Sequence, residues 1–132
     1  MRDRQAKNIG LAIVGAGRVG LFRGEVAARH AQVGWIGIAE KNPERAKLIG
    51  DKLKADFVTA DYRELLNRPE VNATIVATDE HLHVDPILLA AERKHSLMIE
   101  KPLATDLGDS ARVLAAIQKA GVDAVVGYTQ RF

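Results

Sequence analysis

Three groups of residues in this chain could do chemistry. The first is a glycine turn, "IVGAGRVG", in which Gly15, Gly17 and Gly20 form the pattern G-x-G-x-x-G. The turn follows an apolar run and opens a segment of helical periodicity, and that context gives the pattern its meaning. Gly15 permits a tight turn, Gly17 lets the backbone approach a pyrophosphate, and Gly20 lets helix and strand pack closely. The first helical turn, starting at Arg18 and Val19, then offers N–H groups and a positive dipole end to phosphate oxygens. The alternative is a strand–helix turn that binds nothing. The second group is Glu40, 20 residues beyond Gly20 at the end of another apolar run. A carboxylate there can accept both hydroxyls of an adenosine ribose and repels a 2′-phosphate, which favours NAD over NADP. Lys41 and Arg45 are near in sequence and could tolerate a phosphate, so NADP stays open. The third group is "LMIEKPLA", a greasy run that stops at Glu100, Lys101 and Pro102. Either a strand simply surfaces and turns, or Lys101 is held at a strand's end because chemistry happens there.

Elements of two kinds must position these residues. "IGLAIV", "VGWIGIAE", "DFVTA", "NATIVAT", "HSLMIE" and "VDAVVGY" read as six strands. Helical segments separate them. "RVGLFRGEVAARH" repeats Val19, Leu21, Phe22 and Val26 at helical spacing. "NPERAKLIGDKLK" has Asn42 as N-cap, Pro43 in its first turn, and Ala46, Ile49 and Leu53 on one face. "DYRELLNR" is capped by Asp61, "HVDPILLAAERK" precedes the fifth strand, and "DLGDSARVLAAIQKAG" ends at a C′ glycine, Gly121. Strict alternation with continuous apolar strands implies an α/β fold with a doubly wound parallel sheet of the Rossmann type, order 3-2-1-4-5-6. Ligands bind such sheets outside the carboxyl ends of the strands, where Glu100 and Lys101 would stand.

Composition narrows the function classes. Hydrophobic residues at 47% and charged residues at 27% suit one soluble domain with a single core. A net charge of +2, scattered basic residues and few aromatics argue against nucleic acid. The absence of cysteine excludes disulfides, thiolate metal sites and a cysteine nucleophile, and it fits a reducing cytoplasm. "LAIVGAG" is too short and glycine-broken for a signal peptide or a membrane span. Residues 1–7 read as a solvated leader and 8–132 as one dinucleotide-binding domain. His81 and His83 form an H-x-H without a third ligand nearby, so no metal is expected. Trp35 reads as core rather than as a stacking platform.

With "GAGRVG", "AEKNPERA", "ATDEHLH", "EKPLA" and "VGYTQRF" in that order, the chain resembles the glucose–fructose oxidoreductase/inositol dehydrogenase family, Gfo/Idh/MocA. The resemblance implies an NAD(P)-dependent oxidoreductase acting on a sugar, cyclitol or related polyol. It also implies a second domain that holds most substrate contacts, a homo-oligomer at full length, and a first domain that binds dinucleotide without turning over substrate. Lys101 becomes the catalytic lysine, which bonds the reacting oxygen and helps move its proton. By the same resemblance Glu100 contacts the nicotinamide ribose and anchors the lysine, and since the family often has a cis peptide before this proline, a cis Lys101–Pro102 bond is expected well above the roughly 5% base rate of X–Pro bonds. Thr78 and Glu80 match positions that line the cofactor; His83 either borders its nicotinamide side or makes a polar contact at a helix start, and Arg131 either approaches the crevice or belongs to a flexible tail. The chain departs from the pattern at Asp79 and Glu80, and at "ERKH", where no glycine ends the helix and Arg93 or Lys94 must make the turn. A non-catalytic dinucleotide sensor and a small protein that pairs its sheet edges are the competing readings.

Overall fold

A computed structural model describes residues 8–127. The expected leader and Arg131 lie outside these residues. Six parallel strands are joined in the order β3-β2-β1-β4-β5-β6. They are β1 (Ile9–Val14), β2 (Val33–Ala39), β3 (Phe57–Thr59), β4 (Ala73–Val76), β5 (Ser96–Ile99) and β6 (Ala124–Val126). The helices are α1 (Arg18–Ala28), α2 (Pro43–Leu53), α3 (Tyr62–Leu66), α4 (Val84–Glu92) and α5 (Leu107–Ala120). The doubly wound sheet and its strand order are as the alternation of elements predicts.

Strand alternation divides the core into two layers. Ala12 and Val14 of β1 point into a layer with Leu65 and Leu66 of α3, Ile87 of α4 and Val113 of α5. Leu11 and Ile13 point the other way, into a layer with Ile36, Ile38, Ile49 and Leu53. Each fully buried aliphatic side chain contributes roughly 1.5–3 kcal/mol, so these layers hold the sheet between its helices.

The helix ends follow local chemistry. Asn42, Asp61 and Asp106 each accept a backbone N–H from the first turn of α2, α3 and α5. Gly121 closes α5 at φ 69°. Where the "ERKH" stretch lacks a glycine, Lys94 takes the left-handed conformation at φ 64° and its ammonium donates to the Ala120 carbonyl at 3.0 Å.

Helix α1 departs from its apolar spacing. Val19, Phe22 and Val26 are exposed, and the buried positions are Gly20 and Gly24. A Cβ at Gly24 would stand 2.7 Å from a Leu53 methyl and 2.9 Å from an Ile13 methyl. The helix backbone therefore lies against its neighbours, and Val19, Phe22 and Val26 fall on the outer flank while Leu21 packs against the core. Trp35 is half-buried and stacks on Phe57 with centroids 6.4 Å apart.

Candidate functional site

A cavity of about 550 Å³ opens at the carboxyl ends of β1, β2 and β4. The chain leaves β1 for β2 on one side and returns to β4 on the other, so the cavity sits where strand order reverses. Gly15 and Gly17 line it, as do Glu40, Lys41, Arg45 and Thr78.

The three glycines are required for three different reasons. Gly15 has φ 89°, and a Cβ there would lie 2.7 Å from the Thr78 nitrogen. The β1 turn thus runs against the β4 loop with no room for a side chain. A Cβ on Gly20 would overlap the Gly15 carbonyl oxygen, so that glycine lets α1 sit on its own turn. At Gly17 a Cβ would meet nothing within 4 Å. Gly17 is also the N-cap of α1, and no side chain caps the helix there. An open approach to an uncapped helix N-terminus, facing a cavity, fits a diphosphate.

Glu40 closes the site from β2. Its Oε1 accepts the Ala16 N–H at 2.8 Å and its Oε2 accepts the Asn42 N–H at 2.9 Å. Its side chain is 10% exposed, with the Arg45 guanidinium 3.7 Å away. The carboxylate is held against the glycine turn, which joins the turn and the end of β2 into one unit. Lys41 and Arg45 are exposed on the rim.

The other expected site residues are distributed unevenly. Arg18 and Val19 are exposed in the first turn of α1, outside the cavity lining. Thr78 lies on the cavity wall. Glu80 is exposed in a 3-10 turn, Glu80–Leu82, and stands off the wall, whereas its neighbours Asp79 and His81 lie on it. His83 is 1% exposed. Its two ring nitrogens face the Pro102 carbonyl at 2.8 Å and the Thr78 carbonyl at 3.0 Å. The ring thereby ties the β4 loop to the end of β5.

Beyond β5 the Lys101–Pro102 peptide is cis. Lys101 is exposed at the sheet's carboxyl edge, outside the lining of the cavity. Among the described residues the ion-pair partner of Glu100 is Arg23, not Lys101.

Sequence reasoning missed several wall residues. Ala60, Tyr62 and Arg63 follow β3, and Asp109 and Arg112 come from α5. The β3 residues were accessible by extending the rule about carboxyl ends to the next strand. The α5 residues were not, because their place depends on how that helix packs. Burial raises the Tyr62 phenol above its ordinary value, with Arg63 opposing and Asp85 and Asp61 reinforcing. Tyr62 therefore keeps its O–H as a donor. No three-residue cluster of His, Cys, Asp and Glu suited to a metal occurs among the described residues. Nor is any described helix long and apolar enough to cross a membrane.

Comparison with known proteins bears on the whole chain. A family model described as "Oxidoreductase family, NAD-binding Rossmann fold" matches residues 9–128. The 2,7-anhydro-N-acetylneuraminate hydratase of Mediterraneibacter gnavus is 34% identical over 126 residues, covering 96% of this chain and 33% of that protein. The myo-inositol 2-dehydrogenase of Thermotoga maritima is 26% identical over 122 residues, covering 92% and 36%. A solved structure of a probable dehydrogenase from Thermotoga maritima superposes with a TM-score of 0.88 at 25% identity, covering 93% of this chain and 37% of that one. The chain thus spans about a third of the length of the relatives it matches.

Proposed function

The chain belongs to the Gfo/Idh/MocA oxidoreductase family through its NAD-binding Rossmann fold, and on that premise we propose that it is the dinucleotide-binding part of a polyol dehydrogenase. Such an enzyme moves hydride between a nicotinamide cofactor and a sugar, cyclitol or related polyol. Residues 8–132 form the binding domain. A second domain supplies most substrate contacts, and the full-length protein is a cytoplasmic homo-oligomer. The relative named as an inositol dehydrogenase supports the substrate class.

One observation carries this reading. The open approach at Gly17 meets the uncapped N-terminus of α1, with the Glu40 carboxylate fixed on the same turn. Amides at the start of α1 hold the diphosphate. Glu40 accepts ribose hydroxyls with the lone pairs that Ala16 and Asn42 leave over. Bound NAD supplies the hydride acceptor. Lys101, at the carboxyl edge, places a positive charge beside the substrate oxygen. That charge favours the oxygen's alkoxide-like form, and the proton released passes to a base that the second domain would supply. Glu100 contacts the nicotinamide ribose, Thr78 flanks the cofactor, and His83 braces the loop beside it.

Calorimetric titration with NAD and NADP, beside Glu40→Ala, tests the site. NAD should bind more tightly than NADP. Glu40→Ala should weaken NAD about tenfold, the value of one charged hydrogen bond, and narrow the gap between the two. Equal indifference to both nucleotides would count against the proposal. In a polypeptide that includes the second domain, Lys101→Ala should abolish most turnover while cofactor affinity is kept. A sensor would lose nothing by that change. The 34% identical hydratase favours a second reading, in which the substrate gains or loses water. Turnover without net accumulation of NADH would select it.

A further inference from the structure

Arg23 lies on α1, six residues beyond Gly17, and its guanidinium reaches the end of β5. Nε donates to Glu100 Oε2 at 2.9 Å, and a terminal nitrogen lies 2.8 Å from the same oxygen. Both side chains are largely covered, 19% and 14% exposed. Gly127, just past β6, closes the third side. A Cβ there would fall 3.0 Å from Glu100 Oε2 and 3.1 Å from the Arg23 terminal nitrogen. Three elements therefore converge on one ion pair, and the residue after it in the chain is Lys101.

A covered pair differs from a screened surface pair. Removing one partner leaves a partly desolvated charge without compensation. The planar guanidinium also fixes direction, which a lysine ammonium does not. Two consequences follow for the strand end. Glu100 is neutralised by Arg23 across the fold, so its carboxylate does not draw the Lys101 ammonium away from a substrate. And the carboxylate is held in one orientation by the same helix whose N-terminus faces the diphosphate.

We infer that Arg23 is a positioning residue, which orients Glu100 for the nicotinamide half of the dinucleotide and keeps Lys101 from pairing with it. This rests on the dinucleotide reading above. ADP separates the two, because it carries the adenosine and the diphosphate but lacks the nicotinamide riboside. Affinities for NAD and ADP are to be measured for the wild-type chain, Arg23→Ala, Arg23→Lys, Glu100→Ala and the Arg23→Ala/Glu100→Ala double variant. Arg23→Ala should lower NAD affinity about tenfold and leave ADP affinity unchanged. Arg23→Lys should recover part of the loss. In the Glu100→Ala background, Arg23→Ala should change nothing further, since it acts through that carboxylate. Unchanged NAD affinity in Arg23→Ala overturns the inference, and so do parallel losses of NAD and ADP or additive losses in the double variant. A wild-type chain that binds ADP but gains nothing from the nicotinamide half overturns it while leaving the diphosphate site intact. Binding of neither nucleotide overturns the dinucleotide reading and the inference together.

Discussion

Gly17 and Gly20 differ by three positions and by opposite surroundings. Gly17 opens on space, with φ −77°, a backbone any residue adopts. Gly20 faces the Gly15 carbonyl. Gly17→Ala should therefore melt at the wild-type temperature and yet bind NAD at least tenfold more weakly, because the added methyl occupies the diphosphate's approach. Gly20→Ala should destabilise the fold by about 1–3 kcal/mol through overpacking against a backbone atom that cannot rotate away. Thermal melts beside NAD titration separate the two. A destabilised Gly17→Ala, or one that binds NAD normally, would remove the diphosphate from that turn. Glu40 could be found in the sequence because its distance from the glycines is set by one helix and one strand. Arg23 could not, since the strand end it touches is 77 residues away.

At the scale of elements, caps and turns follow residue chemistry closely, whereas burial does not. The N-caps at Asn42, Asp61 and Asp106 are local, and each is satisfied within three residues. The apolar side of α1 is the counterexample. Spacing groups Val19, Leu21, Phe22 and Val26, but of these only Leu21 packs against the core, and the fully buried positions are Gly20 and Gly24. Two glycines four apart let the α1 backbone seat on its own turn and against the Leu53 and Ile13 methyls, and that close contact outweighs side-chain burial there. Phe22→Ala should accordingly change the stability of this chain by no more than about 0.5 kcal/mol. Ile87→Ala, in the fully buried layer under α4, should cost about 2–5 kcal/mol. Urea denaturation of both variants measures this, and a large loss for Phe22→Ala would show that α1 packs differently.

Across the whole molecule, the sheet brings together groups far apart in sequence, including a buried polar pair. His95, just before β5, lies 3.0 Å from the Thr74 hydroxyl of β4 and is 2% exposed. Burial, aided by Arg93, depresses its pKa below the ordinary value near 6.5. The folded chain thus holds His95 neutral while the unfolded chain protonates it. Below about pH 6.5 the unfolded state binds more protons, so stability falls as pH drops from there toward the folded-state pKa. Urea midpoints at pH 7.5 and pH 5 should show a larger acid loss in the wild type than in His95→Gln, which cannot titrate. Equal losses would mean that His95 is not held neutral. Strand and helix alternation, the caps, the glycine turn and the Glu40 spacing were all determined by the sequence, because each depends on neighbours within one strand–helix–strand unit. Only the tertiary structure decided which helix face is buried, that His83 turns inward between two carbonyls, and that Arg23 rather than Lys101 neutralises Glu100. Those outcomes depend on distances between elements that parallel pairing sets, and no local pattern encodes them.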